Sequence, residues 1–383
     1  MRYNWRQSDW TDFKYDITAV QDVLFTFAEK TGQVSGILKG LPDNIQSDAI
    51  IDLMVSEAIK TSEIEGEYLS RSDVMSSIRH NLGIDPNAPP TADRRAKGAA
   101  DLMVDVRNSF QEPLTEEKLF EWHKMLMGGQ RKKIDIGMWR SHEEPMQVIS
   151  GPIGKWKVHF EAPPSSQVSE EMTKFIDWFN NTSPDSKDEI KNPVIRSAIA
   201  HLYFESIHPF EDGNGRIGRA ISEKALSQGL GRPILLSLSE AIEDKKKDYY
   251  DALKNAQKSN EITQWVIYFS NTALKSQIRA EENIEFILNK TKFFDRFKDQ
   301  FNERHLKVIR RMLDAGVSGF EGGMSQKKYV AITRTSTATA TRDLKYLAEI
   351  GVLKQIGGGR STRYEIDYLI NKSPPLIHRV RHD

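Results

Sequence analysis

The region from Pro193 to Leu230 constrains this chain most. Pro193-VIRSAIAHLYFESI-His208 is apolar enough to be a buried helix. It opens on a proline, whose missing N–H is no loss in a first helical turn. The chain then enters His208-Pro-Phe210-Glu-Asp212-Gly213-Asn214-Gly215-Arg216-Ile-Gly-Arg219, and Arg219-AISEKALSQGL is helical again. The twelve residues therefore read as a loop that delivers the chain to a helix N-terminus, where unpaired N–H groups and the helix dipole favour an anion. A phosphate is the expected ligand. Gly213 and Gly215 let the backbone approach phosphate oxygens and tolerate positive φ, while Asn214 between them adds side-chain donors. Asp212 is a hard oxygen ligand suited to Mg²⁺, and Arg216 and Arg219, three apart on the first turn, project to one side as a clamp. His208 is the natural acceptor for the proton of an attacking hydroxyl. Phe210 reads as an apolar anchor that holds the loop to the core.

With 383 residues, 38% of them hydrophobic, the chain is long enough for two or three domains. No window approaches the ~18 uninterrupted apolar residues of a membrane span, and MRYNWRQSDW lacks the apolar core of a signal peptide, so a cytoplasmic protein with no membrane partner is expected. Zero cysteines exclude disulfides, thiolate zinc sites and cysteine nucleophiles. The 54 basic and 54 acidic residues cancel, so nucleic-acid affinity must come from local charge. His201 and His305 read as structural, and His123 and His142 lack metal-ligand spacing, so no transition metal is expected.

Along the chain, an aromatic-rich opening (Trp5, Trp10, Phe13, Tyr15) leads into an apolar segment from Val20 to Leu38. Ser47 to Glu65 carries Ile50, Leu53, Met54, Ala58, Ile59 and Ile64 at mostly helical spacing and stops at Gly66, which predicts one amphipathic helix. Ala96 to Phe110, Thr115 to Met127 and Val168 to Phe179 predict three more. Met146 to Pro163 alternates β-formers around Gly151-Pro-Ile-Gly154 and predicts a β-hairpin.

Eight of the twelve motif positions fit His-x-Phe-x-Asp/Glu-Gly-Asn-Gly-Arg-x-x-Arg, and in this the chain resembles the Fic family. The resemblance implies a mainly α fold: a Fic helical core with a β-hairpin flap. It also implies transfer of AMP from ATP, with Mg²⁺, to a Ser, Thr or Tyr hydroxyl of a protein. His208 looks like the general base and Asp212 like the Mg²⁺ ligand. Gly213, Asn214 and Gly215 resemble the phosphate loop, with Arg216 and Arg219 on the β- and γ-phosphates. The hairpin resembles the flap, with Val158, His159, Phe160 and Glu161 over the nucleotide and open to a target strand. Tyr250 and Gln257 resemble contacts to the adenosine. Thr61-Ser-Glu-Ile-Glu65-Gly66 is similar to the family's inhibitory pattern, in which Glu65 would take Arg219 away from the γ-phosphate. The opening residues resemble an uncharacterised module attached to such proteins and suggest no chemistry.

The last ninety residues are expected to form a winged helix-turn-helix: three helices over Glu303–Val317, Ser325–Ile332 and Thr335–Val352, then a wing turning at Gly357–Gly359. From Ser325 to Arg381 there are 11 Lys/Arg against 4 Asp/Glu, which makes DNA a plausible partner. Ala338, Ala340, Leu344 and Leu347 read as packing positions. The expected division is 1–90 (N-terminal module with the inhibitory helix), 91–290 (catalytic core) and 295–383 (winged helix). The expected partners are ATP, a protein target on the flap, DNA through the C-terminal domain and a second copy of the chain. Other donors, AMP removal and a nucleotide-sensing DNA-binding regulator stand as alternatives.

Overall fold

A computed structural model describes residues 3–85, 91–129, 134–150, 157–317 and 319–367. The hairpin turn expected at Gly151–Gly154 and the chain beyond 367 lie outside the described residues. The structure divides into two compact units, Met1–Glu281 and Glu282–Asp383. Unit 1 begins with helices α1 (Gln21–Lys39), α2 (Asp43–Ile64), α3 (Arg71–Asn81), α4 (Arg94–Asn108) and α5 (Glu116–Met127). Strands β1 (Gln147–Ser150) and β2 (Lys157–Glu161) follow, then α6 (Ser165–Asn181), α7 (Pro193–Ile207), α8 (Asn214–Leu230), α9 (Leu238–Glu243) and α10 (Lys246–Ala256). Helix α11 (Thr263–Phe297) gives residues to both units. The mainly α class expected from the sequence is the class observed.

The centre of unit 1 is α7. Asn192 caps it, its side chain accepting from the N–H groups of Val194 and Ile195, with Pro193 in the first turn. Every residue from Val194 to Ile207 is buried. At roughly 1.5–3 kcal/mol for each large apolar side chain fully removed from water, Ile195, Ile199, Leu202, Phe204 and Ile207 anchor this helix in the core. Most of its polar side chains are paired inside the core, Glu205 Oε1 being an exception. Arg196 donates to the carbonyl of Phe179 at 2.7 Å and to Thr182 Oγ1 at 3.2 Å, and His201 bonds Ser222 Oγ (3.0 Å) and Tyr249 OH (2.8 Å). Helix α8 packs along α7, so the loop joining them is fixed at both ends.

Three expectations need correction. Helix α8 starts at Asn214, within the twelve residues read as a loop, so Asn214 and Gly215 join Arg216 and Arg219 in the helix. Helix α2 is not a one-sided amphipathic helix: it packs on α3, α4, α8 and α9, burying Glu57, Thr61 and Ser62 beside its apolar residues. Helix α3 was not anticipated, because Arg71–Asn81 is too polar to give a clear apolar period. Strands β1 and β2 pair antiparallel, Val148 opposite Phe160, with an irregularity between Val148 and Ile149.

In unit 2, α12 (Glu303–Leu313), α13 (Gln326–Thr333) and α14 (Thr337–Glu349) precede the antiparallel strands β3 (Leu353–Ile356) and β4 (Arg363–Ile366). Their core includes Val308, Ile309, Met312, Tyr329, Leu344 and Leu347. The Asp343 carboxylate joins all three helices by accepting from Arg304 Nε (2.9 Å) and Tyr329 OH (2.8 Å). Ala340, Leu344 and Leu347 are buried, whereas Ala338 is exposed on the first turn of α14 and is not a packing position.

Candidate active site

Helix α7 ends at His208, which takes a left-handed conformation (φ 52°) while its N–H still bonds the Phe204 carbonyl. A left-handed non-glycine residue is held by its surroundings. The holding group is Arg140, nearly fully buried, which donates from Nε to the His208 carbonyl (2.8 Å) and from its backbone N–H to the Pro209 carbonyl (2.9 Å). Its remaining donors reach Ser165 Oγ and the Pro163 and Ile207 carbonyls. Burial pulls the guanidinium down to about 10, which leaves it charged at neutral pH. Phe210 is fully buried against the His123 ring, stacked at 4.1 Å, and is the anchor its position suggested. His123, which its spacing only argues against as a metal ligand, fixes the loop. Its Nδ1 accepts from Gly137 N–H (2.9 Å), so the ring proton sits on Nε2 and is donated to the Asp212 carbonyl (3.1 Å). Burial lowers this imidazole to about 4, so it stays neutral in that role.

The loop closes through Asn214. Its amide accepts from Phe210 N–H (2.9 Å) and donates to the Phe210 carbonyl (2.8 Å), so the side chain braces the turn and is not aimed at a ligand. Positive φ occurs at Gly213 (84°), whereas Gly215 is helical and needs its hydrogen for another reason, given below. The first α8 bond runs from Ile217 N–H to the Gly213 carbonyl, and no side chain caps the turn ahead of it. That end is suited to an anion. Asp212 lies beside it, partly exposed, with Oδ1 accepting from Gly213 N–H at 2.7 Å and 3.6 Å from Arg216 Nη2. No group of three or more His, Asp or Glu residues that could hold a metal occurs among the described residues. A single carboxylate fits Mg²⁺ shared with phosphate oxygens, and does not fit an all-protein cage.

The arginines are already engaged. Arg219 donates to Glu65 Oε1 (2.7 Å), to Thr61 Oγ1 (2.7 Å) and to the Thr61 carbonyl (2.9 Å). Burial works against its charge, but Glu65 beside it holds the guanidinium above its ordinary range. Glu65 Oε1 also lies against Gly215 so closely that any side chain there would collide with it. The Glu65 carboxylate thus rests on the same helix end that is suited to an anion. Arg216 pairs with Glu67 at 2.9 Å, an acid not singled out in the sequence. Both acids come from one turn. Gly66 (φ 81°) ends α2 with bonds from its own N–H to the Glu63 carbonyl and from Glu67 N–H to the Ser62 carbonyl, the Schellman arrangement. Even so, Arg216 Nε and Arg219 Nη1 remain buried without a hydrogen-bond partner among the described residues. Orphaned guanidinium donors at an uncapped helix end are what an anionic ligand would satisfy.

Tyr250 is partly exposed, its hydroxyl 3.5 Å from the Ile64 carbonyl, and so lies over the end of α2. Gln257 is buried, donates to the Glu205 carbonyl (3.1 Å) and is not presented to a nucleotide. In the flap, Val158 is exposed and His159 partly so, but Phe160 is buried edge-on against Tyr3 (5.1 Å). The Glu161 carbonyl accepts from Trp5 Nε1 (2.7 Å), and its carboxylate pairs with Arg6. Phe160 and Glu161 therefore face the N-terminal segment, because the aromatic opening of the chain packs on the flap.

Residues 113–226 match the family model described as "Fic/DOC family". The chain carries a Fic domain. Residues 3–84 match a second model, "Domain of unknown function (DUF4172)". The Fic-bearing chain is 24% identical over 241 residues to a protein from Nematostella vectensis named "Protein adenylyltransferase Fic", across 62% of this chain and 50% of the relative. It is 31% identical over 152 residues to "Protein adenylyltransferase fic-1" of Caenorhabditis elegans, across 40% of this chain and 26% of the relative. The chain thus spans between a quarter and half of these relatives. A solved Fic-domain-containing signaling protein from Bacteroides thetaiotaomicron superposes with a TM-score of 0.51 at 20% identity, covering 69% of this chain and 97% of that one. That likeness establishes the shared fold.

Proposed function

We propose that the chain is a protein adenylyltransferase that moves AMP from ATP to a hydroxyl of a protein target and is restrained by Glu65. The observation that carries this is the uncapped N-terminus of α8 with Arg216 and Arg219 beside it, four and seven residues after Asp212 and occupied by acids from the end of α2. The adenylyltransferase names of the relatives support the same donor. In the reaction, His208 takes the proton of the target hydroxyl, the hydroxyl oxygen attacks the α-phosphorus, and pyrophosphate leaves as the α–β bridging bond breaks. Asp212 would hold Mg²⁺, which neutralises phosphate charge when bound. Arg216 and Arg219 would then bind the leaving phosphates, and Glu65 on Arg219 prevents that pose. Val158, exposed on the flap, would meet a target segment. The division into 1–90, 91–290 and 295–383 is retained as the functional one, in a cytoplasmic setting where ATP is abundant.

The test is AMP incorporation from α-labelled ATP and Mg²⁺ by wild type, Glu65→Gly and Glu65→Gly/His208→Ala. Strong labelling only in Glu65→Gly is expected, at least tenfold above wild type. Labelling by none of the three while ATP still binds would overturn adenylyl transfer. UTP belongs in the same experiment, because a Xanthomonas campestris relative, 24% identical over 157 residues, is named "Uridine 5'-monophosphate transferase".

A second reading concerns unit 2, whose helices and hairpin follow the order of a winged helix. Ser336, Thr337, Ala338 and Thr341 are exposed at the start of α14, which favours insertion into a DNA groove.

A further inference from the structure

Glu205 lies one helical turn before His208, and only 4% of it is exposed. Its Oε2 is 3.6 Å from His208 Nδ1. Glu205 Oε1 and His208 Nδ1 are both buried and have no hydrogen-bond partner among the described residues. A buried carboxylate oxygen without a partner is costly, and such an atom calls for an explanation.

The neighbours of Glu205 are committed elsewhere. His201, one turn earlier, uses one nitrogen on Ser222 Oγ and the other on Tyr249 OH. Arg219 uses Nε and Nη2 on Thr61 and Glu65, and no hydrogen bond joins it to Glu205 among the described residues. Gly218 leaves space on the α8 side, since a Cβ there would lie 2.7 Å from Glu205 Oε1. The carboxylate is therefore packed from behind by α8 and faces the imidazole. Burial raises its pKa, but His208, His201 and Arg219 around it outweigh that effect, and Glu205 stays ionised.

We propose that Glu205 is a positioning residue for His208, accepting the Nδ1–H so that Nε2 is left unprotonated and turned toward the target hydroxyl. The proposal rests on the reading of His208 as the base. A carboxylate behind an imidazole fixes the tautomer and ring orientation and stabilises the imidazolium that forms when Nε2 takes the proton. The 3.6 Å separation is longer than a formed hydrogen bond, as is common before substrate tightens a site. The left-handed His208 and the bonds from Arg140 keep the backbone still, so the ring only has to turn within its own rotamer well.

The experiment uses the full chain labelled with ¹⁵N-histidine, with the His208 signals assigned from the difference against His208→Ala among the nine histidines. The wild type is expected to show the neutral ring protonated on Nδ1. Glu205→Gln, close to isosteric, is expected to lose that tautomer preference. In the Glu65→Gly background it should lower kcat for AMP transfer by roughly 10–100-fold, with KM for ATP within about twofold. A wild-type ring protonated on Nε2 would overturn the proposal without any variant. A Glu205→Gln enzyme with unchanged kcat would overturn it as well. If no variant transfers AMP but the Nδ1–H tautomer is present and lost in Glu205→Gln, the positioning role stands and the adenylyl-transfer reading falls.

Discussion

Two acids separated by one residue, Glu65 and Glu67, hold two guanidiniums three residues apart, Arg219 and Arg216. Arg216 is 2% exposed and Glu67 only partly covered, so the pair should be worth more than the about 1 kcal/mol of an exposed bridge. It should fall short of the about 3–5 kcal/mol lost when a fully buried pair is broken. Glu67→Gln is therefore expected to lower the melting temperature. ATP should restore more stability to the variant than to wild type, because its phosphates return a counter-charge to Arg216. Equal ATP-induced shifts in a thermal melt would show that Arg216 does not meet the phosphates. The motif residues were legible in the sequence because their roles are set by local geometry: a loop, two glycines and a helix start. Glu67, His123 and Arg140 were not, since their bonds to Arg216, Asp212 and His208 cross 149, 89 and 68 residues of sequence. Asn214 spends its amide on the Phe210 backbone. An amide in a tight turn pairs first with the backbone it can reach.

Among the elements, the N-terminal segment carries more structure than its sequence suggested. Asn4 is fully buried, with Nδ2 donating to Ser206 Oγ (2.9 Å), Oδ1 accepting from Trp5 N–H (2.8 Å), and its own N–H bonded to the Gln257 carbonyl (2.9 Å). Trp5 next to it holds the Glu161 carbonyl, so two residues join α7, the end of α10 and the flap. Asn4→Ala leaves Ser206 and Trp5 short of a partner and should cost about 1–3 kcal/mol in chemical denaturation. An unchanged midpoint would mean that the segment is not anchored there. Helix positions were legible wherever apolar periodicity was strong, as in α4, α5 and α6. They were misread where the helix is buried on several faces (α2), or polar (α3), or entered from a structured loop (α8).

At the scale of the whole molecule, the neutral net charge conceals an uneven distribution, with 11 basic against 4 acidic residues from Ser325 to Arg381. If unit 2 meets DNA, binding of the full chain to a duplex should weaken steeply with salt, log affinity falling linearly with log salt at a slope of about −0.9 per phosphate contacted. Filter binding or fluorescence anisotropy at a series of salt concentrations checks this, and no binding at low salt removes the DNA reading. Unit 1 was harder to divide from sequence, because residues matching the DUF4172 model and those matching the Fic model share one compact body.

Helix α2 is pinned along its length by Ile51, Leu53, Met54, Val55 and Ala58, and by Glu57, which accepts from Ser237 Oγ and Ser239 N–H on α9. The acids that reach the arginines, Glu65 and Glu67, lie just past its last turn, on either side of Gly66. Fraying of that single turn would free both cations while the rest of the helix stayed in the core. Under the proposed function, release of the brake on this enzyme would be a local event at the end of α2, needing no movement of a whole domain.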